Sequence, residues 1–346
     1  MQNVHYCQNS PKLLNPNPSM SLCMNSNINF GKFNSVFEFM RMFNTEKKCI
    51  RYLEKELWAD GVVSPYDANS KVYRRGDGMY RCKNTGKNFN VRIGTMFEGT
   101  KLPLRTWFMA IYYLTCHSKG MSALQLSKEL NVTYKTAWFL CHRIRTAYSE
   151  SIPKKLYGEV ELDETFVGGK NKNRHKNKKV PKSQGRCHKD KTPVLGMVER
   201  GGNIICKVVE TTSAKHLTPH ILRVIHLKKS TLMIDEWCGY DRVKRWYSFK
   251  QIDHGKGIYG IGDAYTNTIE GFWSNYCKRP IHSTYNSVSR KHLQRYFDEF
   301  CFRYNYRKVS LEQRFMSVIK YAHKRLTFKE LVNGNQKKKQ KQSNAA

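Results

Sequence analysis

Three acidic residues in the second half of the chain could share one chemical task. Asp163 lies in the alternating stretch Tyr157–Lys170, Asp235 follows the apolar run Ser230–Ile234, and Glu270 falls in the first turns of a predicted helix. Carboxylates that a fold brings together repel one another unless a divalent cation neutralises them. Oxygen ligands suit Mg²⁺ or Mn²⁺, and two such ions activate a water or a 3′-hydroxyl for phosphoryl transfer. We therefore predict a two-metal phosphoryl-transfer site with Asp163, Asp235 and Glu270 as ligands.

The residues around Asp163 predict a strand. Apolar and acidic residues alternate through Glu159–Asp163, which is the period-two pattern of a half-buried strand. We place Asp163 at the end of this strand, shortly before the pair Gly168-Gly169. For Glu159 and Glu161 a solvated polar face is the simpler interpretation. Asp163 differs from them because two later carboxylates, Asp235 and Glu270, also lie next to the end of a predicted strand or the start of a predicted helix.

Later segments complete an α/β arrangement. Apolar or alternating runs predict strands, and apolar residues at helical spacing predict helices. The predicted elements are a hairpin over 193–210 with its turn at Gly201-Gly202, a helix over Ala214–His226, a strand over Ser230–Ile234, a fifth strand over Phe249–Ile252, and helices over Thr266–Arg279 and His292–Tyr306. Pro280 is expected to stop the helix before it, because proline cannot continue the hydrogen-bond ladder.

The composition indicates a folded protein with a polyanionic partner. The 346 residues include 61 Lys and Arg against 27 Asp and Glu, a formal net charge of +34. Such an excess favours nucleic acid first and an anionic membrane surface second. No apolar run approaches the length of a membrane span, and the N-terminus lacks the pattern of a signal peptide. Eleven cysteines, an odd number without regular spacing, favour reduced thiols and an intracellular location.

A strongly basic segment follows the first predicted strand. Residues 170–191 contain ten Lys or Arg and one acid, Asp190. A charge run of this kind is usually a solvated loop. Beside an acidic site, the same loop could also hold phosphate groups.

The segment Leu102–Tyr148 predicts helices, and its second half is typical of a helix-turn-helix. Ser122 and Thr133 are expected to cap two helices that are joined by a turn at Asn131-Val132. The predicted core positions of the pair are Leu124, Leu126, Leu130, Ala137, Trp138, Leu140, Cys141 and Ile144. Lys135, Arg143 and Arg145 are expected on the polar side of the second helix. An ordinary helical hairpin would fit this pattern, but the charge of the chain favours DNA binding with the second helix in the major groove.

The segment Val62–Phe97 has the layout of a small zinc ribbon without its ligands. A zinc ribbon needs two Cys-x-x-Cys pairs to form a tetrahedral thiolate site. Here the first pair is replaced by Ser64-Pro65-Tyr66-Asp67, and the second retains only Cys82. We therefore predict a ribbon-like subdomain without metal and consider zinc unlikely as a cofactor.

Several blocks of the chain resemble the catalytic domain of DDE-type insertion-sequence transposases, of the group related to eukaryotic Merlin elements. These blocks are ELDETFVGGK, KTPVLGMVERGG, MIDEWCGY, YTNTIEGFWSNYCKR and HLQRYFDEFCFRYNYR. The similarity continues upstream through GTMFEGTKLPLRTWFMAIYYLTCHSKGMSALQLSKEL and KTAWFLCHRIR, so that it covers roughly residues 33–307. Several long blocks in the same order form a specific signal.

The resemblance implies an RNase H-like fold, in which helices flank a mixed sheet, preceded by a helix-turn-helix and a small ribbon-like region. It also implies that Asp163, Asp235 and Glu270 form the catalytic and metal-binding triad, with Asn267 as a rival for the third position. The implied reaction is hydrolysis at the transposon end, followed by attack of the freed 3′-hydroxyl on target DNA. Double-stranded DNA is the implied partner, with a homodimer or higher homo-oligomer on the DNA ends.

These expectations divide the chain into five parts. They are a disordered arm over 1–32, a helical and ribbon-like region over 33–100, a helix-turn-helix region over 101–150, the catalytic domain over 157–310, and a C-terminal helix with a basic tail over 311–346. The predicted DNA-binding residues are Lys119, Thr133, Lys135, Arg143, Lys170, Lys278 and Arg279.

Departures from the family pattern leave a second interpretation open. The ribbon retains one cysteine, Tyr265 stands where histidine is common, and Pro280 replaces a glycine. A catalytically inactive or host-captured DNA-binding protein derived from a transposase would have such changes, although all three acids persist. A stand-alone nuclease of the same fold is disfavoured by the upstream helix pair. The expected location is the nucleoid or cytoplasm in a bacterial host and the nucleus in a eukaryotic one.

Overall fold

The computed structural model describes residues 30–169, 171–181, 190–252 and 266–333, which form two separate sheets and a set of helices. The strands are β1 (Val72–Arg74), β2 (Tyr80–Cys82), β3 (Asn88–Phe89), β4 (Leu156–Val167), β5 (Thr192–Glu199), β6 (Ile204–Val208), β7 (Ile225–Asp235) and β8 (Ser248–Ile252). The helices are α1 (Val36–Met42), α2 (Glu46–Leu57), α3 (Leu104–Cys116), α4 (Ala123–Glu129), α5 (Tyr134–Ser151), α6 (Ala214–Val224), α7 (Asn267–Phe272), α8 (Leu293–Asn305), α9 (Leu311–Lys320) and α10 (Phe328–Asn333). None of the helices in these ranges is long and apolar enough to cross a membrane.

The larger sheet has the strand order β6-β5-β4-β7-β8 and is mixed. β5 pairs antiparallel with both β4 and β6, whereas β7 lies parallel to β4 and to β8. The predicted hairpin, the buried strand before Asp235 and the fifth strand are thereby confirmed. A mixed sheet with helices on its faces is compatible with an RNase H-like domain.

Both faces of this sheet are covered. One apolar cluster joins the sheet to α6, and a second joins its opposite face to α7 and α8. Val160 and Leu162 of β4 belong to the α6 side, so the intervening residues of that strand face α7 and α8. Central strands of such a sheet are therefore enclosed on both sides.

The chain does not end its helix at Pro280, so this prediction was wrong. A π-helical stretch over Trp273–Lys278 follows α7 directly, and a second one over Ile281–Tyr285 follows the proline. Proline removes one backbone donor, which normally breaks an α-helical ladder. Pro280 lies between the two stretches with helical backbone angles, φ −60° and ψ −38°, which the proline ring permits, so the helical path continues past it.

The N-terminal helices share one apolar core with the C-terminal helix α9. Aromatic rings of α1, α2 and α3 converge on Phe315 of α9, including Phe39 at 5.3 Å and Phe108 at 5.3 Å between ring centroids. Phe302 of α8 belongs to the same cluster. The helical core therefore includes residues from both ends of the described chain.

The predicted pair α4 and α5 has the expected caps and turn. Ser122 accepts a hydrogen bond from the Gln125 N–H at 3.1 Å, and Thr133 accepts one from the Thr136 N–H at 3.3 Å. Asn131 lies between the helices with a φ of 50°, in the left-handed region that asparagine tolerates. Leu124 was predicted as a core residue but is exposed, because only one face of the short α4 packs on α5.

The prediction that Arg143 and Arg145 lie on an exposed face of α5 was wrong. Both are buried, because α3, α8 and α9 all pack around α5. Arg143 donates a hydrogen bond to the Glu98 carbonyl and lies over the Trp107 ring. Arg145 donates from Nε to Glu299 of α8 at 2.7 Å. Both buried guanidinium groups therefore bond to other residues of the protein.

Strands β1, β2 and β3 form the second, antiparallel sheet, and Cys82 is buried within it. Burial alone would raise the pKa of the Cys82 thiol, but hydrogen bonds from the hydroxyls of Ser64, Ser70 and Thr85, and from the Thr85 backbone, lower it to about 6. Two residues that replace cysteines of the Cys-x-x-Cys pairs, Ser64 and Thr85, therefore bond to the one remaining sulfur through their hydroxyl groups.

Candidate active site at the carboxyl ends of two parallel strands

Asp163 and Asp235 lie at the same edge of the larger sheet. The parallel ladder between β4 and β7 ends at Glu161 and Met233, and each aspartate follows two residues later on its own strand. Two residues of a strand span one period, so Asp163 and Asp235 share the sheet face of Glu161, towards α7 and α8. β4 continues past Asp163 to Val167 through its pairing with β5, so the prediction that Asp163 ends its strand was wrong.

The Asp163 carboxylate is held by two hydrogen bonds from different elements. Its Oδ1 accepts from the Glu164 backbone N–H at 2.7 Å, and its Oδ2 accepts from Trp273 Nε1 at 2.9 Å. Trp273 begins the π-helical stretch after α7 and is buried. The indole therefore connects the helix that carries Glu270 to the carboxylate on β4.

Gly196 makes this connection possible. It lies opposite Asp163 on β5, and a Cβ at this position would come within 2.5 Å of the Trp273 ring and 2.9 Å of the Ile269 side chain. Any larger residue would push α7 away from the sheet. A glycine inside an apolar strand is the sequence signal of such a close approach.

Glu161 is buried and ion-paired, so the prediction of a solvated face was wrong for this residue. Its side chain is 0% exposed. One carboxylate oxygen accepts from Arg200 Nε at 2.9 Å, and the other accepts from the Ile269 backbone N–H at 3.0 Å. Ile269 lies in the first turn of α7, so Glu161 attaches the start of that helix to β4. Glu159 is 42% exposed and also pairs with Arg200, at 2.7 Å.

The buried phenol of Tyr240, on the other side of β4, lies within electrostatic reach of these acidic groups. The Tyr240 hydroxyl donates a hydrogen bond to Glu164. Burial, followed by the negative charges of Glu164, Asp163 and Asp235, raises the pKa of Tyr240 well above its usual range. Three carboxylates are therefore close enough to act on one buried phenol.

Glu270 and Asn267 are exposed residues of α7, and the distance between them is about one helical turn. Within the described ranges, no three His, Cys, Asp or Glu side chains are grouped so that they could hold a metal ion. Asp163 and Asp235 nevertheless fit the donor preference of Mg²⁺, which binds through one or two carboxylates together with waters and substrate phosphates. The structure thus brings two of the predicted ligands to one edge and leaves the third on the neighbouring helix.

The predicted DNA-binding residues fall into three groups. Lys119, Thr133, Lys135, Lys278 and Arg279 are exposed. Arg143 is buried among protein groups, as described above, and Lys170 lies outside the described residues. The ammonium group of Lys135 lies 5.0 Å from the centroid of the Phe328 ring, so α10 is next to the first turn of α5.

Sequence reasoning missed the residues that attach α7 to the sheet. Glu161 shares its strand face with Asp163, which the period-two pattern could have indicated, but the covering helix lies more than 100 residues further along the chain. Trp273 is buried in the core, and its hydrogen bond to Asp163 has no signal in the local sequence.

Two similarities to known proteins bear on this chain. Residues 155–305 match the family model described as an ISXO2-like transposase domain, a span that runs from the start of β4 to the end of α8. A protein of Halobacterium salinarum described as an uncharacterized protein in the transposable element ISH50 is 29% identical over 277 residues, covering 76% of this chain and 92% of the relative. Together these similarities support an insertion-sequence transposase.

Proposed function

We propose that the chain is a DDE-type DNA transposase of the Merlin-related group, which cleaves strands at transposon ends and joins the freed 3′-hydroxyl to target DNA. One observation carries the proposal: Asp163 and Asp235 each lie two residues beyond the last pair that joins the parallel strands β4 and β7, inside the span that matches a transposase family model. Paired carboxylates at the carboxyl edge of a sheet suit metal-assisted phosphoryl transfer.

In this proposal Asp163 and Asp235 hold Mg²⁺ or Mn²⁺, with Glu270 as the third ligand and Asn267 as its rival. The bound ions would neutralise the developing charge and activate a water or a 3′-hydroxyl. The chain itself orients the carboxylates. Trp273 and the Glu164 N–H fix the Asp163 carboxylate, and the Trp237 N–H donates to Asp235 Oδ1 at 3.1 Å.

The third ligand lies on α7, whose attachment therefore matters for the reaction. Glu161 and Trp273 tie that helix to β4, while Glu270 is exposed and Asn267 begins the helix. Because α7 is attached to the sheet, Glu270 would reach the metal ions by rotating its side chain, which is a smaller change than a movement of the whole helix. Comparing Glu270→Gln with Asn267→Ala in the cleavage assay described below decides between the two residues.

The proposed reaction predicts that Asp235→Asn and Asp163→Asn abolish strand cleavage, because each removes one carboxylate ligand. The DNA affinity should stay equal or rise, since one negative charge is lost. The assay uses end-labelled DNA from the flanks of the gene, with Mg²⁺ or Mn²⁺, and reads nicks on a sequencing gel. Asp241→Asn is the matched control, because Asp241 is exposed and paired with Lys244 at 2.9 Å.

The possible results separate the two functions. Metal-dependent nicking at a fixed position in the wild type and in Asp241→Asn, but not in Asp235→Asn, supports the transposase. Retained nicking in either Asp163→Asn or Asp235→Asn contradicts the assigned ligands. Tight binding without nicking favours the alternative of a captured, catalytically inactive DNA-binding protein. Inverted repeats around the gene would favour mobility.

We further propose that α4 and α5 form a helix-turn-helix that binds DNA. The first turn of α5 carries the exposed residues Tyr134 and Lys135, while most of the helix beyond Leu140 is buried. In this motif the N-terminal residues of the second helix contact base edges in the major groove. The net charge of +34 supports a DNA partner, and pairing of two transposon ends would need at least two copies of the chain. Such a protein would act in the nucleoid of a bacterial host or the nucleus of a eukaryotic one.

Lys135→Ala is expected to weaken specific DNA binding by about 1–3 kcal/mol and to relax the preference at one base, if Lys135 contacts a base edge. Fluorescence anisotropy with the flanking DNA and with scrambled DNA measures both effects. Lys155→Ala serves as the control, since Lys155 is exposed on the short segment before β4, outside the helix pair. An equal loss for both variants on both DNAs would assign Lys135 a purely electrostatic role.

A further inference from the structure

One exposed indole lies directly beside the proposed active site. Trp237 follows Asp235 by two residues, just beyond the carboxyl end of β7, and is 39% exposed. Its backbone N–H donates to Asp235 Oδ1 at 3.1 Å. Any displacement of Trp237 would therefore move a donor away from the proposed metal ligand.

The indole itself is fixed by backbone groups. Its Nε1–H donates to the Thr212 carbonyl at 3.0 Å. A Cβ on Gly239 would lie 2.4 Å from that nitrogen and 2.6 Å from Cδ1, so the ring lies directly against the Gly239 backbone. The Trp237 ring fits at this position because glycine has no side chain. The ring is held in one place while more than a third of the residue remains open to solvent.

Packing does not account for this arrangement. Single exposed apolar residues are common on protein surfaces and usually need no explanation. Trp237, however, belongs to none of the buried apolar clusters formed by the described residues, and its two fixed contacts are to backbone atoms. An immobilised, partly open aromatic ring is a platform on which a flat group can stack at little entropic cost.

We propose that Trp237 is a stacking site for one nucleobase of the DNA strand that carries the scissile phosphate. This inference rests on the proposed function, because that function places the phosphate at Asp235. Stacking on an aromatic side chain tolerates any base, since every base has a π-face. The +34 net charge of the chain supplies the attraction for the backbone of that strand.

A photo-crosslinking experiment tests stacking without requiring cleavage. The full-length protein is bound to duplexes of the gene flanks in which 5-iododeoxyuridine replaces one thymidine at a time. Irradiation, trypsin digestion and mass spectrometry then locate the crosslinked peptide. We expect a crosslink to Trp237, in the tryptic peptide 230–242, from one or two adjacent positions only. Crosslinks confined to other peptides would overturn the proposal.

Substitutions provide the second readout. Trp237→Ala should lower kcat/KM for cleavage about tenfold, equivalent to about 1.4 kcal/mol, whereas Trp237→Phe should retain most of the activity because a ring remains. Trp246→Ala is the matched control, since Trp246 is 50% exposed but precedes β8 at the opposite end of the sheet. Equal thermal midpoints of all variants exclude unfolding as the cause of a loss.

The outcomes separate this inference from the proposed function. Full cleavage by Trp237→Ala, with cleavage lost in Asp235→Asn, overturns the stacking site and keeps the transposase. A position-specific crosslink to Trp237 without cleavage by the wild type keeps the stacking site and overturns the reaction. Equal losses in Trp237→Ala and Trp237→Phe would show that the indole N–H to Thr212, and not the ring face, is what matters, and would overturn the stacking site.

Discussion

Glu161→Leu is expected to lower the free energy of unfolding by about 3 kcal/mol, because it removes a buried acceptor and a buried anion together. Glu161 is 0% exposed and bonds both Arg200 Nε at 2.9 Å and the Ile269 N–H at 3.0 Å. A leucine leaves the Ile269 donor buried without its acceptor. It also leaves Arg200 with Glu159, which lies closer to solvent. Urea-induced unfolding, followed by circular dichroism, measures the change.

Glu159→Leu is the matched control for this variant. Glu159 pairs with the same arginine but is 42% exposed, so the pair it forms is screened by water. Its loss should change the free energy of unfolding by less than about 1 kcal/mol. Equal losses of stability in the two variants would mean that the burial of Glu161 and its bond to the Ile269 N–H stabilise nothing beyond the ion pair with Arg200.

A double variant separates the stability that Glu161 provides from its effect on α7. In Glu161→Leu/Arg200→Met both members of the buried pair become apolar, an exchange that is often neutral for stability. The Ile269 N–H still lacks its acceptor, so we expect faster amide hydrogen exchange in the first turn of α7 and a large loss of cleavage. Glu161→Gln retains an acceptor oxygen and should protect the amide. Wild-type exchange and cleavage in the double variant would show that α7 is positioned by packing alone.

Much of the larger sheet could be predicted because its signals are local. The turn at Gly201-Gly202 and the apolar run before Asp235 each depend on neighbouring residues, and both were correctly interpreted. The sequence also placed Asp163 and Asp235 after predicted strands that could bring them together, although β4 in fact continues past Asp163 to Val167.

What could not be predicted depends on which elements cover each other. A period-two pattern shows that Glu161 and Asp163 share a face, but not that α7 covers that face. Helical spacing likewise places Arg145 one turn after the core residue Cys141, but it does not show that α8 brings Glu299 against Arg145. In both cases the buried charge has a partner more than 100 residues away, beyond the reach of any local pattern.

Acidification from pH 7 to pH 5 is expected to destabilise the contact between α5 and the start of α8, because that contact holds one buried and one half-buried histidine ring. His142 of α5 is fully buried, and its ring centroid lies 4.5 Å from that of Trp138 and 4.8 Å from that of His292. Burial, helped by the positive charges of Arg145, His292 and Arg295, lowers the pKa of His142 to about 2. Burial and the charges of Lys291, Arg295 and Arg145 lower the pKa of His292 to about 4.

The sign of the effect follows from proton binding. Below its ordinary pKa of 6.5 the unfolded chain protonates His142, while the folded chain does so only near pH 2. The stability due to the neutral ring is therefore complete above pH 6.5 and is lost as the pH falls towards 2. Between pH 7 and pH 5 this amounts to about 2 kcal/mol for His142. Urea midpoints at the two pH values measure it.

His142→Phe isolates this contribution, because phenylalanine keeps a ring against Trp138 without a titratable nitrogen. The wild type also loses stability in this window through His292, whose folded-state pKa is lowered to about 4, so the difference between the two proteins is the informative quantity. Glu299, whose pKa Arg145 and Arg303 lower to about 2 against the effect of burial, titrates below the window. His142→Phe should lose about 2 kcal/mol less than the wild type, whereas His323→Gln, at an exposed position, should lose as much as the wild type. Equal pH dependence in His142→Phe and the wild type would mean that His142 becomes solvated before the helices separate.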